Sequence, residues 1–157
     1  MIKTKEIDHW LNADLNDFLS YKFLYETPHF FQEFAVNPNK TFYSFSFNQS
    51  DLIINYLTFK LQKTLKLKLK FNRIYINIQH PGMSGEFHTD NDEGGITCLY
   101  MVVGSGNFEI KDEKTFQFKK NKLICFDARK LHMGHAPNKG PRITLAFKTQ
   151  IISNEGE

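Results

Sequence analysis

Two side chains that can bind a metal stand two residues apart in the segment GEFHTDNDEGG, residues 85 to 95. Alternate side chains of an extended strand share a face, so His88 and Asp90 are expected to point the same way. A second histidine would complete the set of two imidazoles and one carboxylate that binds iron(II) and leaves coordination positions open. His132 and His135 are the downstream candidates for this third ligand.

A cationic side chain follows at a fixed distance. Arg142 stands ten residues after His132 and opens the strongly apolar run RITLAFKTQII, in which Arg142 and Thr144 share a strand face. The planar guanidinium can bind a carboxylate through two parallel hydrogen bonds, and a threonine hydroxyl beside it adds a donor. The pattern therefore predicts a metal site next to a carboxylate-binding site.

The first part of the chain carries helical patterns. Apolar residues recur at spacings of three and four from Ile7 to Leu24, which predicts a helix with Asn12 as a cap for its second part. Residues 27 to 49 contain prolines, asparagines and many aromatics, and we expect an irregular segment with short extended pieces. Ser50 is then a candidate N-cap for a second helix.

The second part of the chain carries strand patterns. Leucine and lysine alternate over residues 65 to 70, which is typical of a half-buried strand with a solvated lysine face at a sheet edge; a phosphate-binding stripe is the less favoured alternative. Short β-type runs follow, separated by turn residues. They are NRIYINIQ, GEFHTD, ITCLYMVV, NFEIKD, TFQFKK, KLICFDA and RITLAFKTQII. This succession favours a sandwich or double-sheet jelly roll over βαβ units.

Length and charge limit the function classes. A chain of 157 residues is expected to form one domain, here with helical support over about residues 1 to 70 and a β core over about 71 to 152. No apolar run approaches the roughly 20 residues that span a bilayer, which predicts a cytoplasmic protein without a membrane partner. A formal net charge of +3 is too small to indicate a nucleic-acid partner.

These motifs together resemble those of the iron(II)- and 2-oxoglutarate-dependent dioxygenases, and in particular their prolyl-hydroxylase-like branch. The resemblance covers about residues 73 to 150 and includes HPG before the HxD pair, TCLY on the next strand, GNFEI and FDARKLHMGHAP. It implies a mainly β fold with N-terminal helices, in which a double-stranded β-helix (a cupin-like jelly roll) is flanked by two or more helices.

The resemblance also implies roles for individual residues. His88, Asp90 and His132 match the iron ligands, because the spacing to the arginine selects His132 over His135. Arg142 matches the residue that binds the distal carboxylate of 2-oxoglutarate, with Thr144 beside it. His135 is then a rim residue of undetermined role.

The 2-oxoglutarate pocket departs from the family pattern. Met101 stands where some prolyl hydroxylases have a tyrosine that bonds 2-oxoglutarate, and His80 replaces a tyrosine before Pro-Gly. Other donors must therefore complete the pocket. Asn77 resembles a residue that holds 2-oxoglutarate in the nucleic-acid demethylase branch, and the further candidates are Tyr75, Thr97 and Tyr100, the last of which is equally explained as a core aromatic.

The implied activity is hydroxylation of a C–H bond with iron(II), 2-oxoglutarate and O2, and with ascorbate as a candidate accessory. Succinate and carbon dioxide are released. A peptidyl residue such as proline is the favoured substrate; a free amino acid or small metabolite and oxidative demethylation of nucleic acid are the enzymatic alternatives. A catalytically silent jelly-roll binding module is the non-enzymatic alternative. The sequence leaves the substrate and the oligomeric state open.

Overall fold

A computed structural model describes residues 2–34, 37–90 and 93–154, without the side chains of 32–34, 37–41 and 154. Within these residues the chain forms a π-helical turn, Lys22–Glu26, directly after its first α-helix. The strands and α-helices follow in this order: β1 (Lys5–Ile7), α1 (Ala13–Tyr21), β2 (Phe30–Phe34), β3 (Asn37–Ser46), α2 (Leu52–Leu65), β4 (Leu67–Gln79), β5 (Ile96–Val103), β6 (Asn107–Ile110), β7 (Lys114–Gln117), β8 (Lys122–Asp127), β9 (His132–Gly134) and β10 (Arg142–Asn154).

The strands form two antiparallel sheets. A seven-stranded sheet has the order β1-β8-β5-β10-β4-β3-β2, and a three-stranded sheet has the order β7-β6-β9. In the larger sheet the long strands β4 and β10 pair over almost their whole length. The prediction of a mainly β, double-sheet jelly roll with N-terminal helices is confirmed.

The outer face of the seven-stranded sheet carries the larger apolar core. Helix α2 contributes Ile54, Leu57, Leu61 and Leu65, and the first helical region contributes Leu19 and Phe23. They pack against alternate residues of β4, β5 and β10, including Ile76, Tyr100, Leu145 and Phe147. The inner face and the small sheet share a second apolar cluster that includes Leu99, Met101, Phe108 and Phe126. The period-two alternation of the strands thus separates two environments.

The helices differ from the predicted bounds at their starts. Helix α1 begins after Asn12, whose side chain accepts a hydrogen bond from the backbone of Leu15 at 2.8 Å, as predicted. Ile7, however, lies in strand β1 and pairs with Leu123. Helix α2 is capped by Asp51, which accepts from two backbone N–H groups, and not by Ser50. No helix among the described residues is long and apolar enough to cross a membrane.

Two extended segments also differ from the sequence prediction, and a third agrees with it. Residues 27 to 49 contain an antiparallel strand pair, β2 and β3, with a register shift between Glu33 and Phe34; Phe31 and Tyr43 are cross-strand partners whose ring centroids lie 5.3 Å apart. The prediction for the Leu/Lys segment is confirmed: Leu69 is buried while Lys68 and Lys70 are exposed, and among the described residues this part of β4 pairs with β10 alone, because β3 pairs only with Tyr75–Ile78. GEFHTD is not a regular strand: it forms a single bridge, His88 to His132.

Candidate metal centre and adjoining pocket

A pocket lies between the inner face of the seven-stranded sheet and the small sheet. Its walls come from neighbouring strands whose inward residues are in register. On β10 these are Arg142, Thr144, Ala146 and Lys148, which pair with Gln79, Asn77, Tyr75 and Arg73 of β4. Leu99 and Met101 of β5 complete the wall, and Phe108 and Phe118 cover it. Polar side chains therefore form a line across an otherwise apolar cavity.

Three metal-capable side chains meet at this pocket. His88, Asp90 and His132 each offer one ligand atom, and these atoms lie within 4.8 Å of one another. The Nε2 atoms of His88 and His132 lie 3.6 Å and 3.5 Å from the same oxygen, Oδ1 of Asp90. The sequence-predicted ligands are thus brought together with their donor atoms facing a common point.

Backbone contacts hold the two histidines in a ligand-ready form. The backbone N–H and C=O groups of His88 and His132 bond each other reciprocally at 3.1 Å and 3.0 Å, which fixes the two segments together. Nδ1 of His88 lies 2.8 Å from the carbonyl of Glu86, and Nδ1 of His132 lies 2.9 Å from that of Lys130. A carbonyl only accepts, so Nδ1 carries the proton and the Nε2 lone pair is free for a metal.

Asp90 is oriented by the neighbouring strands. Its Oδ2 accepts a hydrogen bond from the hydroxyl of the fully buried Thr97 at 2.6 Å, and its Oδ1 contacts Nζ of Lys148 as well as the histidines. Burial alone would raise the pKa of Asp90, but the neighbouring imidazoles of His132 and His88 and the charge of Lys148 outweigh burial and hold that pKa well below its usual value. Asp90 is therefore a carboxylate, and its Oδ1, which faces both histidines, is the oxygen that could bind a metal in place of Lys148.

The contact with Asp90 also changes the pKa of His88. Asp90 stabilises the protonated imidazolium, which can donate a hydrogen bond from Nε2, and this is the largest cause of a pKa of His88 raised above the ordinary value of 6.5. A proton on Nε2 competes with a metal for the lone pair, so binding at His88 must displace that proton at acidic pH.

Arg142 is a buried cation at the other end of the polar line. It is 2% exposed, and its guanidinium donates to the carbonyl of Asn107 at 3.0 Å and to the side chain of Gln79. Its Nε is buried without a hydrogen-bond partner, and no carboxylate among the described residues pairs with it. Burial lowers its pKa to about 10, which leaves it charged at neutral pH. This environment suits an anion that enters from outside the chain.

Two neighbours make the Arg142 end of the pocket suitable for a ligand. The side-chain oxygen of Asn77 is also buried without a hydrogen-bond partner within the protein. A Cβ at Gly134 would lie 2.7 Å from Nη2 of Arg142, so this glycine leaves the guanidinium its space. A small dicarboxylate would accept from the guanidinium and fill this region.

The remaining predicted residues fall into two groups. Thr144, Asn77 and Tyr75 line the pocket. Tyr100 does not: it lies on the outer face in the core, with its hydroxyl bonded to Asn16 at 2.6 Å and Asn121 at 3.0 Å, so a cosubstrate role is wrong for it.

Neither of two other candidates adds to the metal cluster. The hydroxyl of Thr97 donates a hydrogen bond to Asp90, which is one of the three metal-capable side chains. His135 is partly exposed outside the cluster, with Nε2 at 2.8 Å from a carboxylate oxygen of Glu109.

Sequence reasoning missed Lys148, Arg73 and Gln79, which line the same pocket. Strand phase was the available signal, because Lys148 follows Arg142 and Thr144 on alternate positions of one strand. Gly134 had no such signal, since only the path of the Arg142 side chain explains it.

No protein-family model matches the chain, and no curated protein matches it by sequence. Solved structures do match. The collagen prolyl hydroxylase of Paramecium bursaria Chlorella virus-1, in complex with 2-oxoglutarate, is 18% identical, with a TM-score of 0.69 over 93% of this chain and 94% of that one. A Trichoplax adhaerens prolyl hydroxylase bound to a hypoxia inducible factor peptide is 14% identical, with a TM-score of 0.72 over 94% and 83%.

A third match has a different reaction. The non-heme alpha-ketoglutarate-dependent epimerase SnoN from nogalamycin biosynthesis is 10% identical, with a TM-score of 0.71 over 94% of this chain and 77% of that one. Identities at this level show the fold and leave the reaction open. The chain has the fold of the 2-oxoglutarate- and iron(II)-dependent oxygenases, prolyl hydroxylases among them.

Proposed function

We propose that the protein is an iron(II)- and 2-oxoglutarate-dependent dioxygenase that hydroxylates a C–H bond. One observation carries the proposal: a His-Asp-His cluster and a buried arginine without an anionic partner face the same pocket. Either feature alone is compatible with many kinds of protein. Their combination matches the needs of a reaction that uses a divalent metal beside a dicarboxylate.

His88, Asp90 and His132 would hold the metal on one side through Nε2, Oδ1 and Nε2. When bound, iron(II), 2-oxoglutarate and O2 supply the oxidising chemistry that converts a C–H bond to an alcohol and releases succinate and carbon dioxide. Arg142 binds the distal carboxylate through a charge-assisted pair, with Thr144 and Asn77 as neighbouring polar groups.

The apolar wall has its own function in this proposal. Leu99, Met101 and Phe108 line the pocket with buried apolar surface beside the polar groups. Burial of Arg142 strengthens a charge pair formed there. Asp90 provides a carboxylate ligand, which favours hydroxylation over halogenation.

A peptidyl residue, such as proline, is the substrate that we favour, because two of the structural matches are prolyl hydroxylases. A small molecule is the second candidate. It is supported by the equally similar fold of the epimerase SnoN, which another solved structure contains together with nogalamycin RO.

The ligand assignment is tested by anaerobic titration with iron(II) and 2-oxoglutarate, followed by measurement of succinate formation in air. The wild type is expected to develop a metal-to-ligand charge-transfer band and to form succinate. His88→Ala and Asp90→Ala are expected to lose both, because two ligands cannot hold the metal in the required geometry.

His135→Ala is the matched control, since it removes a nearby histidine that bonds Glu109 outside the cluster. It is expected to keep the band and the turnover. Undiminished succinate formation in His88→Ala or Asp90→Ala would refute the ligand assignment. A wild type that binds neither iron(II) nor 2-oxoglutarate would favour the binding-module alternative.

A further inference from the structure

Two cations stand at the metal end of the pocket and have no function in the mechanism above. Lys148 of β10 and Arg73 of β4 are cross-strand partners, and both line the pocket. Both also face the ring of Tyr75: the guanidinium carbon of Arg73 lies 4.2 Å from the ring centroid, and Nζ of Lys148 lies 5.7 Å from it. The two positive groups are therefore held against one aromatic side chain.

Arg73 has weak partners within the protein. Its Nε and Nη2 both lie 3.4 Å from the hydroxyl of Ser46, near the long limit for a hydrogen bond. None of the ion pairs among the described residues includes Arg73 and a carboxylate. Stacking on Tyr75 orients its planar guanidinium without neutralising it.

Lys148 has a partner that the metal would take. Its Nζ contacts Oδ1 of Asp90, the same oxygen that faces Nε2 of His88 and of His132. A divalent metal bound at that oxygen repels the ammonium and replaces it as the counter-charge of Asp90. Lys148 must then find another anion, and the cavity beside Tyr75 and Arg73 is open to its flexible side chain.

The formal charges of a pocket that holds metal and 2-oxoglutarate also leave Arg73 and Lys148 without a counter-charge. Asp90 is the sole carboxylate among the described residues that line the pocket. A divalent metal with Asp90 leaves one positive charge, Arg142 adds a second, and the two carboxylates of 2-oxoglutarate neutralise both. Arg73 and Lys148 remain uncompensated beside the metal.

We propose that Arg73 and Lys148 bind an oxyanion of the substrate, a carboxylate or a phosphate, beside the metal centre. This inference rests on the proposed function, because it requires a metal at Asp90 and 2-oxoglutarate at Arg142. It assigns an acidic substrate to the enzyme: a peptide that carries an acidic or phosphorylated residue next to the reacting carbon, or an acidic small molecule. The paired cations select for charge, and Tyr75 supplies an apolar surface beside them.

The test uses protein loaded with Zn(II), a diamagnetic replacement for iron, and 2-oxoglutarate, with NMR observation of the side-chain N–H signals. Binding of zinc and 2-oxoglutarate is verified first, by a shift of the Arg142 Nε–H signal. Acetate and inorganic phosphate are then titrated at constant ionic strength, with acetamide as the neutral counterpart of acetate. We expect saturable shifts of the Arg73 and Lys148 signals with an oxyanion and none with acetamide.

Variants separate this site from general attraction of anions. Lys148→Met and Arg73→Met are each expected to weaken oxyanion binding about tenfold or more, as for loss of one partner in a charge-assisted contact. Lys148→Arg is expected to retain most of it. Lys68→Met is the matched control, because Lys68 is an exposed lysine of the same strand as Arg73 outside the pocket, and its loss should leave binding unchanged.

The stronger of the two probes distinguishes a carboxylate from a phosphate substrate. The inference is overturned if neither oxyanion gives saturable shifts, or if Lys148→Met and Arg73→Met bind as tightly as the wild type. A wild type whose Arg142 signal ignores 2-oxoglutarate would contradict the proposed function instead. The two failures therefore appear in different signals of the same sample.

Discussion

Both faces of strand β10 carry buried side chains, but the two faces differ in whether the protein itself satisfies those side chains. On the outer face Ile143, Leu145 and Phe147 are fully enclosed by other apolar side chains of the chain. On the inner face Arg142 is 2% exposed yet keeps an Nε without a partner, opposite a strand on which Asn77 also has an unpaired amide oxygen. The outer face is complete without any other molecule, whereas the inner face keeps unpartnered polar atoms that, in the proposed function, a ligand completes.

This difference teaches what burial means in a double-sheet fold. A buried residue that is satisfied by its neighbours contributes to the free energy of folding. A buried polar residue without a partner costs free energy in the empty protein and recovers it on binding. Because side chains alternate along a strand, the two kinds of residue are neighbours in sequence and can be changed separately.

The largest effect on stability is expected from the outer face. Phe147 is 0% exposed and contacts the rings of Trp10 and Phe71, with centroids 6.4 Å and 6.2 Å away. Phe147→Ala leaves a cavity in the core and should lower the free energy of unfolding by about 3–5 kcal/mol. Chemical denaturation followed by circular dichroism measures the change.

Thr144→Val is the matched control on the inner face of the same strand. It keeps the shape of the side chain in the pocket, and we expect the free energy of unfolding to change by less than about 1 kcal/mol. Equal losses for the two variants would contradict the division between the faces.

The second-largest effect is expected on the affinity for 2-oxoglutarate. Arg142→Met removes a cation whose burial is not offset by a carboxylate, so the free energy of unfolding should stay within about 1 kcal/mol of the wild type. The affinity for 2-oxoglutarate in the presence of metal should fall about 100-fold, or about 2.7 kcal/mol, because the distal carboxylate loses its charged partner. Calorimetry measures the affinity, and denaturation measures the stability.

A matched arginine tests whether this loss comes from the site or from net charge. Arg129 is a surface residue paired with Asp127, and Arg129→Met should leave the affinity for 2-oxoglutarate unchanged. Saturating 2-oxoglutarate should stabilise the wild type against unfolding. The absence of this stabilisation would contradict the proposal that Arg142 binds 2-oxoglutarate.

The sequence was sufficient for the fold class and for the cluster of His88, Asp90 and His132. Alternation along the strands and the ten-residue spacing to Arg142 are local patterns, and both survive in the structure. The strand predicted around His88 and Asp90 is only partly present. These residues converge through one bridge to His132 and a backbone bond from Asp90 to Ala128, at 2.9 Å, and not through a regular strand.

Most features that the sequence did not predict depend on contacts between distant segments. Tyr100 and Met101 are adjacent and equally apolar in context, and only the direction of the sheet decides that Met101 faces the pocket while Tyr100 bonds Asn16 and Asn121. The pairing of β2 with β3 is an exception, because it joins consecutive strands, and the turn-forming residues between 27 and 49 conceal it in the sequence. The contact of Lys148 with Asp90 joins distant segments, like the contacts of Tyr100.

The smallest effect is expected at Thr97, a residue of the inner face that contacts the candidate metal site through Asp90. Thr97 is buried and bonds the carboxylate oxygen of Asp90 that does not face the histidines, so in the proposed function it positions a metal ligand without being one. Thr97→Val keeps the volume and removes the hydroxyl, and we expect metal affinity to fall about tenfold, the lower end for loss of a hydrogen bond to a ligand.

Thr149→Val provides the comparison, because its hydroxyl is also buried but bonds the backbone carbonyl of Ile96 at 2.8 Å. The two variants lose one buried hydrogen bond each and should lose similar stability, about 1 kcal/mol. Only Thr97→Val should weaken metal binding, measured by competition with a chelator of known affinity. If both variants bound the metal equally well, the inner face would hold Asp90 by packing alone, and the hydroxyl of Thr97 would belong to the support of the fold.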